Sequence, residues 1–161
     1  PMANALIYIP LLLVLLYQVE ALPSGPMPDS LSPAQQSELE AAQKIDKRIK
    51  IYDQASDQRR RAVEKAAGQK NSDAVTSALR SWTELLDYAL TDIQANAKQS
   101  SRSKALKNFE IHLRKAIGEM GDLETKGSYE QYEVFESWMR HANEVRQKLV
   151  LILFPGSSAR R

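Results

Sequence analysis

The chain has 161 residues, with 22 lysines and arginines against 20 aspartates and glutamates, and no cysteine. The lack of cysteine excludes a disulfide framework, covalent haem attachment and thiol catalysis, so packing alone must stabilise the fold. A formal net charge of +2 is too small to argue for nucleic acid by itself.

The first element is the stretch LIYIPLLLVLLYQVEALPSG at residues 6–25. The uninterrupted apolar run from Ala5 to Tyr17 contains Pro10 and is shorter than the ~20 residues that a helix needs to cross a bilayer. Val19-Glu20-Ala21 follows as a small-x-small site, which predicts a signal peptide over 1–21, cleavage after Ala21 and a periplasmic or secreted mature chain. No lysine or arginine precedes the run, so the basic opening of such a signal is expected upstream of Pro1. The alternative is a retained membrane anchor, or a helix lying near the lipid surface. About 140 residues follow Ala21, enough for one domain with its own core. Residues 22–31, with three prolines and a glycine, read as a linker.

Four helices are predicted beyond it, over 32–154, with a C-terminal tail at 155–161. Ser32 as N-cap, Pro33 at the first helical position and Gln35 closing a capping box start the first helix, which should continue to about Ala67 and stop at Gly68. At 1.5 Å per residue it would be ~50 Å long and overhang its partners. Asn71-Ser72 caps a second helix to about Ala97, carrying the stripe Val75, Leu79, Trp82, Leu86, Leu90 and Ile93. The serine-rich KQSSRSK is the next break. A third helix runs from about Ser103 to Leu123, with Leu106, Phe109, Leu113, Ile117 and Met120 on one face, and ends at Lys126-Gly127. Ser128 with Gln131 repeats the capping box for a fourth helix, carrying Phe135, Trp138, Ala142, Val145, Leu149 and Ile152, which Phe154-Pro155-Gly156 terminates. In the first helix the stripe Leu39, Ala42, Ile45, Ile49 and Tyr52 gives way to Ser56 and Arg59, so its second half is expected to be poorly buried or bent. Short connections favour an all-α, antiparallel four-helix bundle with a long first helix. The overhang of that helix would either fray or pair with a second copy.

The chain has two histidines, His112 and His141, nearly symmetric about the Lys126-Gly127 turn. Each lies about 80–90° from the centre of its own apolar stripe and in the same rotational sense, which predicts both on one flank of the interface between the third and fourth helices. Such a pair is the candidate transition-metal site, although Phe109 and Trp138 stand where bundle metal sites carry glutamates. A cofactor has no convergent set of residues: Met120 and Met139 sit on core stripes, where methionine is ordinarily packing. Catalysis is not expected either, because serines cluster in caps and loops, and no glycine-rich loop joins a strand to a helix.

Charge is unevenly distributed. From Lys98 to Lys115 there are six basic residues against Glu110, and from Glu119 to Glu136 six acidic residues against Lys126. The third helix is therefore basic at its start and acidic at its end, the reverse of what its dipole prefers. Two explanations follow. Its acidic end can face Arg59, Arg60, Arg61 and Lys65 of the first helix. Alternatively, the basic turn with Lys98, Arg102, Lys104 and Lys107 docks an acidic partner or anionic lipid. Nucleic acid is not expected, since only Phe109 is at hand for stacking.

Leu31-Ser32-Pro33-Ala34-Gln35 and Leu90-Thr91-Asp92-Ile93-Gln94 both match L-[ST]-x-x-Q. The pattern resembles the LTxxQ repeats of small periplasmic helical stress proteins of the Spy and CpxP type, which implies a chaperone or stress adaptor. Across residues 42–149, AQKIDKRIKIYDQASDQRRR, SKALKNFEIHLRKAI and FESWMRHANEVRQKL together resemble an uncharacterised family of small exported bacterial helical proteins, which implies fold and export and no activity. The resulting expectation is an exported, non-enzymatic helical bundle that binds a protein of the cell envelope.

Overall fold

The structure is a computed structural model that describes residues 22–23, 25–127 and 129–156. The signal peptide over 1–21, the cap at Ser128 and the end of the tail lie outside these residues. The chain is all-α: α1 (Pro33–Ala41), α2 (Ile45–Gly68), α3 (Ser72–Ala95), α4 (Ala97–Ser100), α5 (Lys104–Glu124) and α6 (Tyr129–Leu153), with no strand among the described residues. None of these helices is long and apolar enough to cross a membrane.

Local chemistry sets the helix starts. Ser32 accepts from the Gln35 backbone N–H at 3.3 Å and the Gln35 side chain accepts from Ser32 N–H at 3.0 Å, a reciprocal capping box. Asn71 caps α3 through the Ala74 N–H, and Ser103 caps α5 through the Leu106 N–H, both at 3.0 Å. The turn after α2 is a Schellman closure, with Asn71 N–H on the Ala66 carbonyl and Lys70 N–H on the Ala67 carbonyl. Lys70 rather than Gly68 occupies the left-handed position, at φ 54°. A side chain there costs energy that glycine does not incur, so Lys70→Gly is expected to stabilise the protein by about 1 kcal/mol, roughly 3–5 °C in Tm by calorimetry.

The expected long first helix is broken. Ala42 and Lys44 are extended, with ψ of 104° and 133°, and separate α1 from α2. No glycine or proline marks the break, and the apolar spacing runs straight through it. The cause is tertiary: the kink buries Leu39, Ala42 and Ile45 together, and Arg48 of α2 reaches back to donate to the Ala42 carbonyl at 3.4 Å. The second half of the predicted helix is also better buried than its sequence suggests. Ala55, Ser56, Val63 and Ala66 are all buried, and Ser56 holds its place on the core face by accepting from Trp82 Nε1 at 2.8 Å.

α2 packs on α3 and α5, and α6 packs on the same two helices. Across α2 and α3 the contacts Arg48 to Asp92 and Ser56 to Trp82 pair rising with falling residue numbers. Across α5 and α6, Arg146 donates to Glu110 at 2.7 Å, and a Cβ on Gly121 would meet Met139 Sδ at 3.6 Å. The indole rings of Trp82 and Trp138 stack at 4.2 Å between centroids in the middle of the shared core. These registers bring the starts of α2 and α5, the ends of α3 and α6, and α4 to one end of the molecule. The stretch read as a linker is laid on the body: Leu22, Met27 and Leu31 join the core, and Pro26 to Asp29 share a groove with Glu84, Asp87, Tyr88 and Thr91 of α3.

Candidate functional site

Three groups of polar side chains could carry function. The first is buried. Arg48 and Asp92 are both fully enclosed and paired through two bonds, Nε to Oδ2 at 2.8 Å and Nη2 to Oδ1 at 2.9 Å. Tyr52 donates its hydroxyl to Asp92 Oδ2 at 2.7 Å, and Asn96 donates to Asp92 Oδ1 at 3.1 Å. Burial, followed by the charge and hydrogen bond of Asp92, pushes the Tyr52 hydroxyl well above its ordinary range, so it remains a donor. Every oxygen of the carboxylate is occupied. The cluster is a latch that ties the α1–α2 kink to the end of α3. Asp92 lies within the second L-[ST]-x-x-Q stretch, where Leu90 is buried and Thr91 bonds the Asp87 carbonyl; in the first stretch Leu31 is core and Ser32 and Gln35 form the cap. In the first copy the motif residues serve packing and capping; in the second Leu90 packs, Thr91 bonds back to its own helix and Gln94 is exposed.

The second group surrounds a cavity of about 350 Å³ between α2 and α5, lined by Asp53, Ser56, Asp57, Arg60, Trp82, His112, Lys115 and Glu119 among others. Most of its charged groups pair with one another, while Glu119 Oε2 is buried without a hydrogen bond. His112 Nδ1 meets both oxygens of Asp53 at 2.9 and 3.0 Å, Arg60 bonds Asp57 and Glu64 and lies 3.5 Å from Glu119, and Arg61 pairs with Asp57 at 2.9 Å. Partial burial would raise Asp57, but the hydrogen bond and charge of Arg60, joined by Arg61, hold its carboxyl below the usual range. The arginine run offered as a docking element is thus largely engaged within the molecule, and Arg59 is half-buried. Arg60 beside Glu119 is the pairing expected between the acidic end of α5 and the first helix.

The two histidines are not brought together. His112 faces Asp53 of α2, whereas His141 of α6 faces Asp87 of α3 through Nε2 at 2.8 Å. The expected shared flank fails for a geometric reason: the stripes of α5 and α6 point to a core common to four helices, not at each other. The same rotational sense then turns each imidazole away from their interface, one towards α2 and the other towards α3. No group of three or more histidine, aspartate or glutamate side chains that could hold a metal occurs among the described residues.

The third group is the basic end. Lys98, Arg102, Lys104 and Lys107 are all exposed, and none makes an ion pair among the described residues. Sequence reasoning missed the residues that join them. The kink at Ala42 to Lys44 turns what looked like mid-helix into a helix start, which brings exposed Lys44, Lys47 and Lys50 to the same end, with Asp46 among them. Lys50 and Lys104 line one groove together with Asp46 and Asp53, and Lys98 and Lys148 line another with Ala97, Leu151, Ile152 and Pro155, a cavity of about 420 Å³. Leu151 and Phe154 remain 47% and 58% exposed beside it. Cations at the starts of α2 and α5 oppose both helix dipoles, and neither helix start has an acid that pairs with them.

Comparison with known proteins finds no matching family model, no matching curated protein and no matching solved structure.

Proposed function

We propose that this protein is an exported, non-enzymatic, antiparallel four-helix bundle that binds an acidic protein partner of the cell envelope through its basic end. One observation carries the reading: exposed cations with no ion pair among the described residues collect at one end, Lys44, Lys47, Lys104 and Lys107 where the dipoles of α2 and α5 disfavour them, beside a groove edged by exposed Leu151 and Phe154. Natural sequences violate a local rule of this kind mainly at functional surfaces. The groove supplies the apolar centre and the lysines the polar rim of a protein interface. Arg60 and Arg61 are paired within the molecule and Arg59 is half-buried, so this reading does not use them.

The test is capture from an envelope extract by immobilised protein, followed by the same experiment with Lys98→Glu/Lys148→Glu. The wild type should retain a defined partner that elutes at raised salt, and the variant should lose it at least tenfold. Equal retention by both proteins would place the contact elsewhere.

A further inference from the structure

The end opposite the basic groove has a matching character. Tyr129 and Tyr132, 93% and 51% exposed, sit one turn apart at the start of α6. Around them Asp122, Glu133 and Glu136 are exposed and make no ion pair among the described residues. Among the described residues, five large hydrophobic side chains are exposed: Tyr129 and Tyr132 lie at the acidic end, Leu151 and Phe154 at the basic end, and Ile111 between. Lys65 and Lys70 stand on the α2–α3 side of the acidic end and Lys126 lies in the α5–α6 turn itself, so the negative patch is carried by Asp122, Glu133 and Glu136.

We propose that the occupant of the basic groove is the acidic, tyrosine-bearing α5–α6 turn of a second copy of this chain. This rests on the reading that the groove is a docking surface, and it names the partner. Tyr129 and Tyr132 meet the apolar floor formed by Leu151, Ile152 and Pro155, while Glu133 and Glu136 meet Lys98 and Lys148. An aromatic centre ringed by opposite charges has the composition of a specific interface. The two surfaces differ and lie at opposite ends of helices ~35 Å long, so the contact is heterologous and propagates head to tail instead of closing a two-fold dimer.

Sedimentation of the purified full chain tests this with two variants, Lys98→Glu/Lys148→Glu and Glu133→Lys/Glu136→Lys. Wild-type protein should rise beyond twice the monomer mass with increasing concentration at low salt, and return to monomer at roughly 0.5 M salt, where charges are screened beyond ~4–5 Å. Each variant alone should be monomeric. Mixed together they should associate again beyond the monomer, because the retained acidic end of one meets the retained basic end of the other and the two reversed ends are complementary as well. The apolar residues 5–17 are common to all samples, so association through them would persist in both variants alone and overturn the proposal. A wild type that stays monomeric, or a mixture that stays monomeric, would also overturn it. If that monomeric wild type binds a foreign partner, or vesicles rich in anionic lipid, through Lys98 and Lys148, the basic end is a docking surface and only the self-association is wrong. If it binds nothing there, both readings fall.

Discussion

Asp92→Asn is expected to destabilise the protein by about 3–5 kcal/mol, measured as a lower urea midpoint with an unchanged slope. The substitution removes almost no volume. What it removes is the carboxylate charge that pairs through two bonds with fully buried Arg48, whose guanidinium then loses that counter-charge in the core. The latch also positions the α1–α2 kink, since the same guanidinium holds the Ala42 carbonyl. Loss should therefore reach beyond the ion pair and expose the packing of Leu39 and Ala42 against the body. A triple replacement that abolishes the polar cluster, Arg48→Met/Tyr52→Phe/Asp92→Leu, should recover much of the loss, because no buried charge is left unpaired. If Asp92→Asn costs less than about 1 kcal/mol, the pair is not enclosed as described.

Trp82→Ala should cost a similar ~3–5 kcal/mol. Trp82 is fully buried, its ring packs on Trp138, and its Nε1 is the hydrogen-bond donor to Ser56. Truncation leaves a cavity at the point where α2, α3 and α6 meet, and strips a buried hydroxyl of its partner. Trp82→Phe keeps most of the apolar contact and should lose roughly half as much. The effect of Ser56→Ala should shrink markedly in the Trp82→Phe background, since the two side chains share one bond. Thermal unfolding of the wild type and these four variants, Trp82→Ala, Trp82→Phe, Ser56→Ala and Ser56→Ala/Trp82→Phe, measures both the truncation cost and the coupling.

The helical content was legible because each stripe keeps three- and four-residue spacing, and because Ser32, Asn71 and Ser103 are residues whose side chains cap. The break before α2 was not legible. Residues 42–44 contain no helix breaker, and the kink depends on Arg48 reaching Asp92, which is 44 positions away in sequence. Two charges on otherwise apolar faces were the available signal: Arg48 falls between Ile45 and Tyr52, and Asp92 between Ala89 and Ile93. The same break explains why Lys44, Lys47 and Lys50 were overlooked, since a charge in mid-helix carries little meaning and the same charge at a helix start opposes a dipole. The histidines were placed correctly on their helices but given the wrong neighbours, because pairwise reasoning about α5 and α6 omits the two helices that complete the core. The basic turn, Lys98 to Lys107, was readable directly from local composition.

The central claim is that the α4 end is basic for a partner and not for the fold. Its most direct test is the unfolding free energy of Lys104→Glu/Lys107→Glu against wild type in urea. With carboxylates in the first turn of α5 and no internal partner lost, stability should be unchanged or higher by up to about 1 kcal/mol. A loss greater than about 1 kcal/mol would show that these lysines are paired within the molecule, and would contradict the account.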